Sequence, residues 1–139
     1  MMWKYTGDVR PPFAEAPGPG EESVWDYPRP PALERVAARV EVYAGEQRIA
    51  ASDIAYRVLE TASPPSIYVP AETVDLRALA PCGHQTFCEW KGVAQYYQLA
   101  GAADGPVVAW RYDNPVARFQ PIDGAISFLS GASCVLLER

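Results

Sequence analysis

Lys91 is one of only two lysines in a chain that otherwise carries ten arginines, and it stands in Cys88-Glu89-Trp90-Lys91-Gly92, just ahead of Tyr96 and Tyr97. An ammonium is a compact point charge. It can sit against a single oxygen or, when desolvated, act as a nucleophile or base, whereas a guanidinium prefers a planar, forked partner. Three readings of Lys91 follow: a solvated surface charge, an anchor for a phosphate or carboxylate, and a reactive amine. Gly92 beside it carries no side chain and would let another group approach the backbone closely.

The aromatic residues around Lys91 bear on that choice. On an unbulged strand Trp90 shares a face with Ala94, Tyr96 and Gln98, while Lys91 shares the other with Val93, Gln95 and Tyr97. Trp110 and Tyr112 share one face of a second strand, which the turn between Gly101 and Gly105 makes a neighbour of the first. Rings with polar tips fill a core when their OH and NH groups find backbone partners, and they wall a pocket for a flat or cationic ligand otherwise. A lysine between Trp and Gly is poor core material, which favours the pocket. The candidate binding residues are therefore Trp90, Lys91, Tyr96, Tyr97, Trp110, Tyr112 and Cys88.

Cys88 is either a buried, inert thiol packed as a small hydrophobe or a catalytic one. His84 is the single histidine, so Cys–His or Ser–His–Asp chemistry must use it. His84 and Cys88 are four residues apart, which on a strand separates them by about 13 Å, so a direct dyad needs the segment to turn. Cys82, His84, Cys88 and Cys134 would complete a Cys₃His set for zinc, yet C-x-H-x₃-C is not a standard knuckle and C-x₂-C is missing. The expectation is a protein with no structural metal and no cofactor.

The elements that must hold these residues are short. Fourteen prolines and ten glycines in 139 residues interrupt long helices, and 49% apolar residues is a globular content. Residues 1–22 read as an extended, proline-rich leader that packs weakly or not at all, and 23–139 as one β domain. RVEVYAGEQRIAAS (39–52) alternates about Ala44-Gly45 as a hairpin. Residues 55–61, 66–69, 84–90, 92–99, 106–112, 124–129 and 133–138 read as further strands. Residues 70–81, bracketed by prolines, read as one short helix or helical turn. The sum is a mainly β domain with an antiparallel arrangement. A weak echo, W-x-Y-x-x-P, occurs at WDYPRP (25–30) and WRYDNP (110–115); it is either a duplicated β unit or chance.

Charge and composition exclude some classes of partner. Seventeen acidic against twelve basic residues give a net charge of −5, and no basic cluster offers a duplex nucleic acid a face. The chain has no apolar run of membrane-spanning length, and MMWKYTGDVR lacks the apolar centre of a signal peptide. Three cysteines make no disulfide framework, so a reducing cytoplasm is the expected compartment.

The segments CEWKGVAQYY, AWRYDNP and IDGAISF, with VWDYPRPP, RVLETASPPSIYVP and LAPCGHQTFCEWKG before them, resemble the domain of unknown function 427 (DUF427) family over roughly residues 23 to 129. That resemblance implies a small, mainly β, cytosolic protein. Its implied fold is similar to the β-tent of the Mss4-like group, two packed antiparallel sheets pinned at one end. Relatives of that architecture often hold zinc through paired C-x-x-C motifs, and this sequence has neither pair. The family is sometimes labelled nucleotidyltransferase, but the Gly-Ser motif followed by paired aspartates that such chemistry needs is not found here. Mss4-like relatives with an aromatic cage for a small planar ligand match these residues better. The favoured expectation is thus a binding domain for a small planar or anionic molecule. The alternatives are an enzyme using Cys88 or Lys91 covalently, helped by His84, Glu60 or Glu89, and an interaction protein in which the motif is structural.

Overall fold

A computed structural model describes residues 5–88, 91–101, 105–129 and 134–138. The described residues form eight strands: β1 (Ala32–Ala44), β2 (Gln47–Leu59), β3 (Ser66–Val69), β4 (Leu79–Cys88), β5 (Gly92–Leu99), β6 (Ala109–Tyr112), β7 (Ile126–Phe128) and β8 (Cys134–Glu138). The domain is mainly β and antiparallel, as the short alternating segments imply. The two expected sheets are one continuous sheet in the order β4-β5-β6-β7-β3-β2-β1-β8. What joins the halves is the short β3–β7 ladder, Tyr68↔Ser127 and Val69↔Ile126.

The long β1–β2 hairpin forms because its apolar residues alternate. Val36, Ala38, Val40 and Val42 point inward from β1, and Gly45 turns the chain with φ +61. Register shifts in β1 after Ala37 and after Val42, and in β4 between Pro81 and Gln85, mark bulges, which bend a strand and increase its twist. The sheet curls until Ala50 bridges Val74 and the Asp75 N–H donates to the Ile49 carbonyl. One core lies inside that curl, with Val40, Val42 and Ile49 packed against Leu79, Tyr97, Val108, Ala109 and Ile126. The second gathers Val58, Tyr68, Ala94 and Tyr112 beneath Phe119 and Ile122 of the 3₁₀ segment Ala117–Ile122.

The helix expected over 70–81 is two separate 3₁₀ turns, Ala71–Thr73 and Leu76–Ala78, and β4 already begins at Leu79. Val74 between them is extended because it pairs with Ala50, which breaks any helix there. The W-x-Y-x-x-P echo is not a repeated backbone either: Trp25 lies in the 3₁₀ turn Val24–Asp26, whereas Trp110 lies in β6. The N-terminal segment touches the domain where Tyr5 and Phe13 set their rings edge-on to Trp25 and where Arg10 pairs with Asp26 at 2.7 Å. Among the described residues no helix is long and apolar enough to cross a membrane.

Candidate functional site

The site begins with strand register. β5 pairs with β6 so that Tyr96 faces Trp110 and Ala94 faces Tyr112. β6 pairs with β7 so that Trp110 faces Ser127, which in turn faces Tyr68 on β3. Residues directly opposite in a sheet share a face, so Tyr96, Trp110, Ser127 and Tyr68 form a row across four strands. Serine is the small member of that row, and across it the Trp110 indole N–H donates to the Tyr68 hydroxyl at 2.9 Å.

Tyr96, Trp110 and Tyr68 of this row wall a cleft of about 330 Å³. Tyr68, Tyr96, Trp110 and Tyr112 form the aromatic side, while Glu60, Ser63 and Pro64 of the connection between β2 and β3, with Ser66 at the start of β3, form the other. Lys91, Val58 and Leu129 complete the lining. Burial pushes the Tyr68 phenol well above its ordinary pKa, and the Trp110 hydrogen bond offsets part of that rise. Burial does the same to Tyr112, with the nearby Cys88, Tyr96 and Glu60 adding to it. Both tyrosines therefore stay neutral hydroxyls at physiological pH.

Lys91 sits in the turn between β4 and β5 and not on a strand, since Cys88↔Gly92 is the last pair of that hairpin. The alternation that grouped it with Val93, Gln95 and Tyr97 does not apply. Gly92 has φ +94, and a side chain there would meet nothing nearer than the Asn114 carbonyl at 3.7 Å. The glycine serves the backbone angle of the turn, not a close approach. As a result Lys91 is only 8% exposed, and its Nζ lies 5.3 Å from the centre of the Tyr112 ring, a cation–π distance. Among the described residues no carboxylate pairs with it, and the Glu60 carboxylate in the same cleft pairs with Arg29 at 3.3 Å.

Of the other expected residues, Tyr96, Trp110 and Tyr112 line the cleft. Tyr97 does not: it pairs with Ala109 and is buried in the first core, with the Arg111 guanidinium 5.8 Å from its ring. Cys88 packs beside the second core without lining the cleft, and its thiol and that of Cys82 are free. Trp90 and Glu89 lie outside the described residues. His84 is exposed on β4 with its ring 5.1 Å from that of Tyr96, and the Cys82 thiol donates to the Tyr96 carbonyl. Among the described residues no three His, Cys, Asp or Glu side chains converge on a metal position, and the Cys134 side chain lies outside them.

The polar side of the cleft was not evident from residue types alone, apart from Glu60. Its loop is clamped from behind by Val24-Trp25-Asp26-Tyr27-Pro28-Arg29. The Thr61 hydroxyl donates to the Tyr27 carbonyl, the Thr61 N–H to Pro28 and the Ala62 N–H to Val24 at 3.0 Å, while Arg29 reaches the Thr61 carbonyl. Ala62 is held at φ +69, a strained angle for alanine. The signal in the sequence was the segment RVLETASPPSIYVP, which contains Val58, Glu60, Ser63, Pro64, Ser66 and Tyr68.

A family model described as a domain of unknown function (DUF427) matches residues 32–137, a span that holds the lining residues of the cleft but begins after WDYPRP. No curated protein matches the chain.

Proposed function

The chain belongs to the DUF427 family, and from that premise we propose that it is a binding protein for a small organic anion, held in the cleft at Lys91. The observation that carries this reading is a lysine nine-tenths buried, over the face of Tyr112, with no described carboxylate paired to it. A buried charge without a counter-charge is costly, and an anionic ligand would supply the missing partner. Neutral phenols at Tyr68 and Tyr112 and the ring of Trp110 suit a flat or apolar body beside the anionic group. Glu60 in the same lining opposes a second negative charge on the ligand. The curled sheet, with a core between its halves, supports reading the fold as the β-tent of the Mss4-like group, which superposition of an experimental structure on that group would test. The free thiols of Cys82 and Cys88 suit a cytoplasmic setting, which localisation of a tagged chain would test.

Calorimetric titration with benzoate, hexanoate and inorganic phosphate tests the anion site. Lys91→Met should weaken the best of these by about 1.5–3 kcal/mol, the range for a charge-assisted contact, and leave the melting temperature of the free protein nearly unchanged. Lys91→Arg should recover only part of the loss, because a guanidinium is larger and planar. A Lys91→Met protein that binds every anion as the parent does refutes the proposal.

A further inference from the structure

A second cavity, of about 360 Å³, adjoins the cleft, and the two share Pro64, Ser66, Trp110 and Leu129 in their linings. Its chemistry is different. The remaining walls are Val40, Val42, Pro65, Ile67, Val69 and Phe128, together with Ser127. The cavity lies where the sheet's shortest ladder stops, since β3 and β7 pair only through Tyr68↔Ser127 and Val69↔Ile126, and Ile67 and Phe128 beyond them are unpaired with each other. Ser127 is 1% exposed, and its buried hydroxyl has no hydrogen-bond partner among the described residues. A buried hydroxyl left without a partner is disfavoured, and such groups in native structures commonly mark a missing water, ion or ligand.

An apolar cavity beside a cleft whose lysine has no carboxylate partner among the described residues selects among ligands. A nucleotide would bury ribose hydroxyls and a dianionic phosphate among valines and beside Glu60, both unfavourable. A purely apolar molecule would leave Lys91 without its counter-charge. We infer that the cavity takes the apolar arm of the same ligand whose anionic group Lys91 holds, so that the ligand class is an alkyl- or aryl-substituted monocarboxylate. The inference rests on the anion site proposed above. The two cavities are together of a size that holds such a molecule.

The test is a homologous series on the full chain, acetate, butanoate, hexanoate, octanoate and 3-phenylpropanoate, with Kd measured by calorimetry or NMR titration. Affinity should rise about three- to fourfold per added methylene until the cavity is full. Lys91→Met should weaken every member by a similar factor of ten or more. Ile67→Trp, at a residue of the second cavity that does not line the cleft, should remove the dependence on length while leaving acetate unchanged, and Phe128→Trp should repeat that result. An affinity flat across the series in the parent protein overturns the inference and leaves the anion site standing. A length dependence that persists with Lys91→Met binding as the parent does overturns the anion site instead, and with it the assignment of a carboxylate. Failure of every carboxylate to bind overturns both.

Discussion

The Trp110 indole N–H and the Tyr68 hydroxyl meet at 2.9 Å across Ser127, with the two rings edge to face at 6.3 Å. That contact ties β3 to β6 over the strand between them, so the aromatic wall of the cleft is also a cross-brace of the sheet. It satisfies both polar tips, while the Ser127 hydroxyl has no partner among the described residues.

Ser127→Ala therefore should not destabilise the free protein. Removing an unsatisfied buried hydroxyl is expected to be neutral or to stabilise by about 1 kcal/mol. Urea unfolding measures this directly, and a loss of more than about 1 kcal/mol would mean the hydroxyl has a partner in solution. Tyr68→Phe is the opposite case. It strands the indole N–H and should cost about 1–3 kcal/mol.

Alkaline stability follows from the same phenols. Tyr68 and Tyr112 have folded pKa values raised above the unfolded one, chiefly by burial. A raised group contributes stability that is complete below the unfolded pKa, near 10, and is lost as pH climbs toward the folded value. The unfolded chain releases those protons first, so unfolding free energy should fall above pH 10, by up to about 1.4 kcal/mol per pH unit for each tyrosine. Denaturant unfolding from pH 8 to 11 checks it, and Tyr112→Phe should make the fall shallower. An unchanged slope in that variant would show that Tyr112 ionises in the folded state as easily as in the unfolded one.

What the sequence revealed and what it hid divide along physical lines. Period-two alternation and a glycine made the β1–β2 hairpin legible, and Ser66–Val69 was readable as a strand from its own residues. Neighbouring strands, and so the Tyr96–Trp110 pair, followed from the short connection between them. The β3–β7 ladder did not, because alternation reports which face a residue takes and not which distant strand lies alongside. Lys91 was assigned to a strand face because the positive φ of Gly92, which puts it in a turn, leaves no mark on the alternation. The ETASPP loop was opaque for a third reason. Its residues are ordinary turn formers, and they become a wall only through the backbone clamp from Val24 to Arg29.

The N-terminal segment should be separable into a dispensable part and a structural residue. Arg10–Asp26 is an exposed pair and Phe13 is 71% exposed, so deletion of residues 1–20 should change stability by less than about 1 kcal/mol. Glu22 is different. It pairs at 2.6 Å with Arg57, whose side chain is 6% exposed, and it also accepts from the Tyr27 hydroxyl. Glu22→Ala leaves Glu34 to the buried guanidinium and should cost about 2 kcal/mol. Urea midpoints of the two proteins decide it; equal and small changes would make Glu22 part of the dispensable segment.

Gly92 is the residue on which the placement of Lys91 depends. Its φ of +94 is outside the range ordinary side chains adopt, yet the space around it is open, with the nearest atom 3.7 Å from where a Cβ would sit. The cost of a substitution is thus conformational and not steric. Gly92→Ala should destabilise by about 1–2 kcal/mol, Gly92→Val by more, and Gly92→Asn by less, because asparagine tolerates positive φ better than other side chains. If the turn relaxes to a negative φ to relieve that strain, Lys91 leaves its position over Tyr112, and affinity for hexanoate should drop by an order of magnitude in Gly92→Ala even at temperatures where the variant is fully folded. Measuring stability and affinity on the same three variants separates the two effects. A Gly92→Val protein as stable as the parent would show that the turn has no need of glycine. Full stability loss with hexanoate affinity intact would show that the turn and the Lys91 ammonium are not coupled.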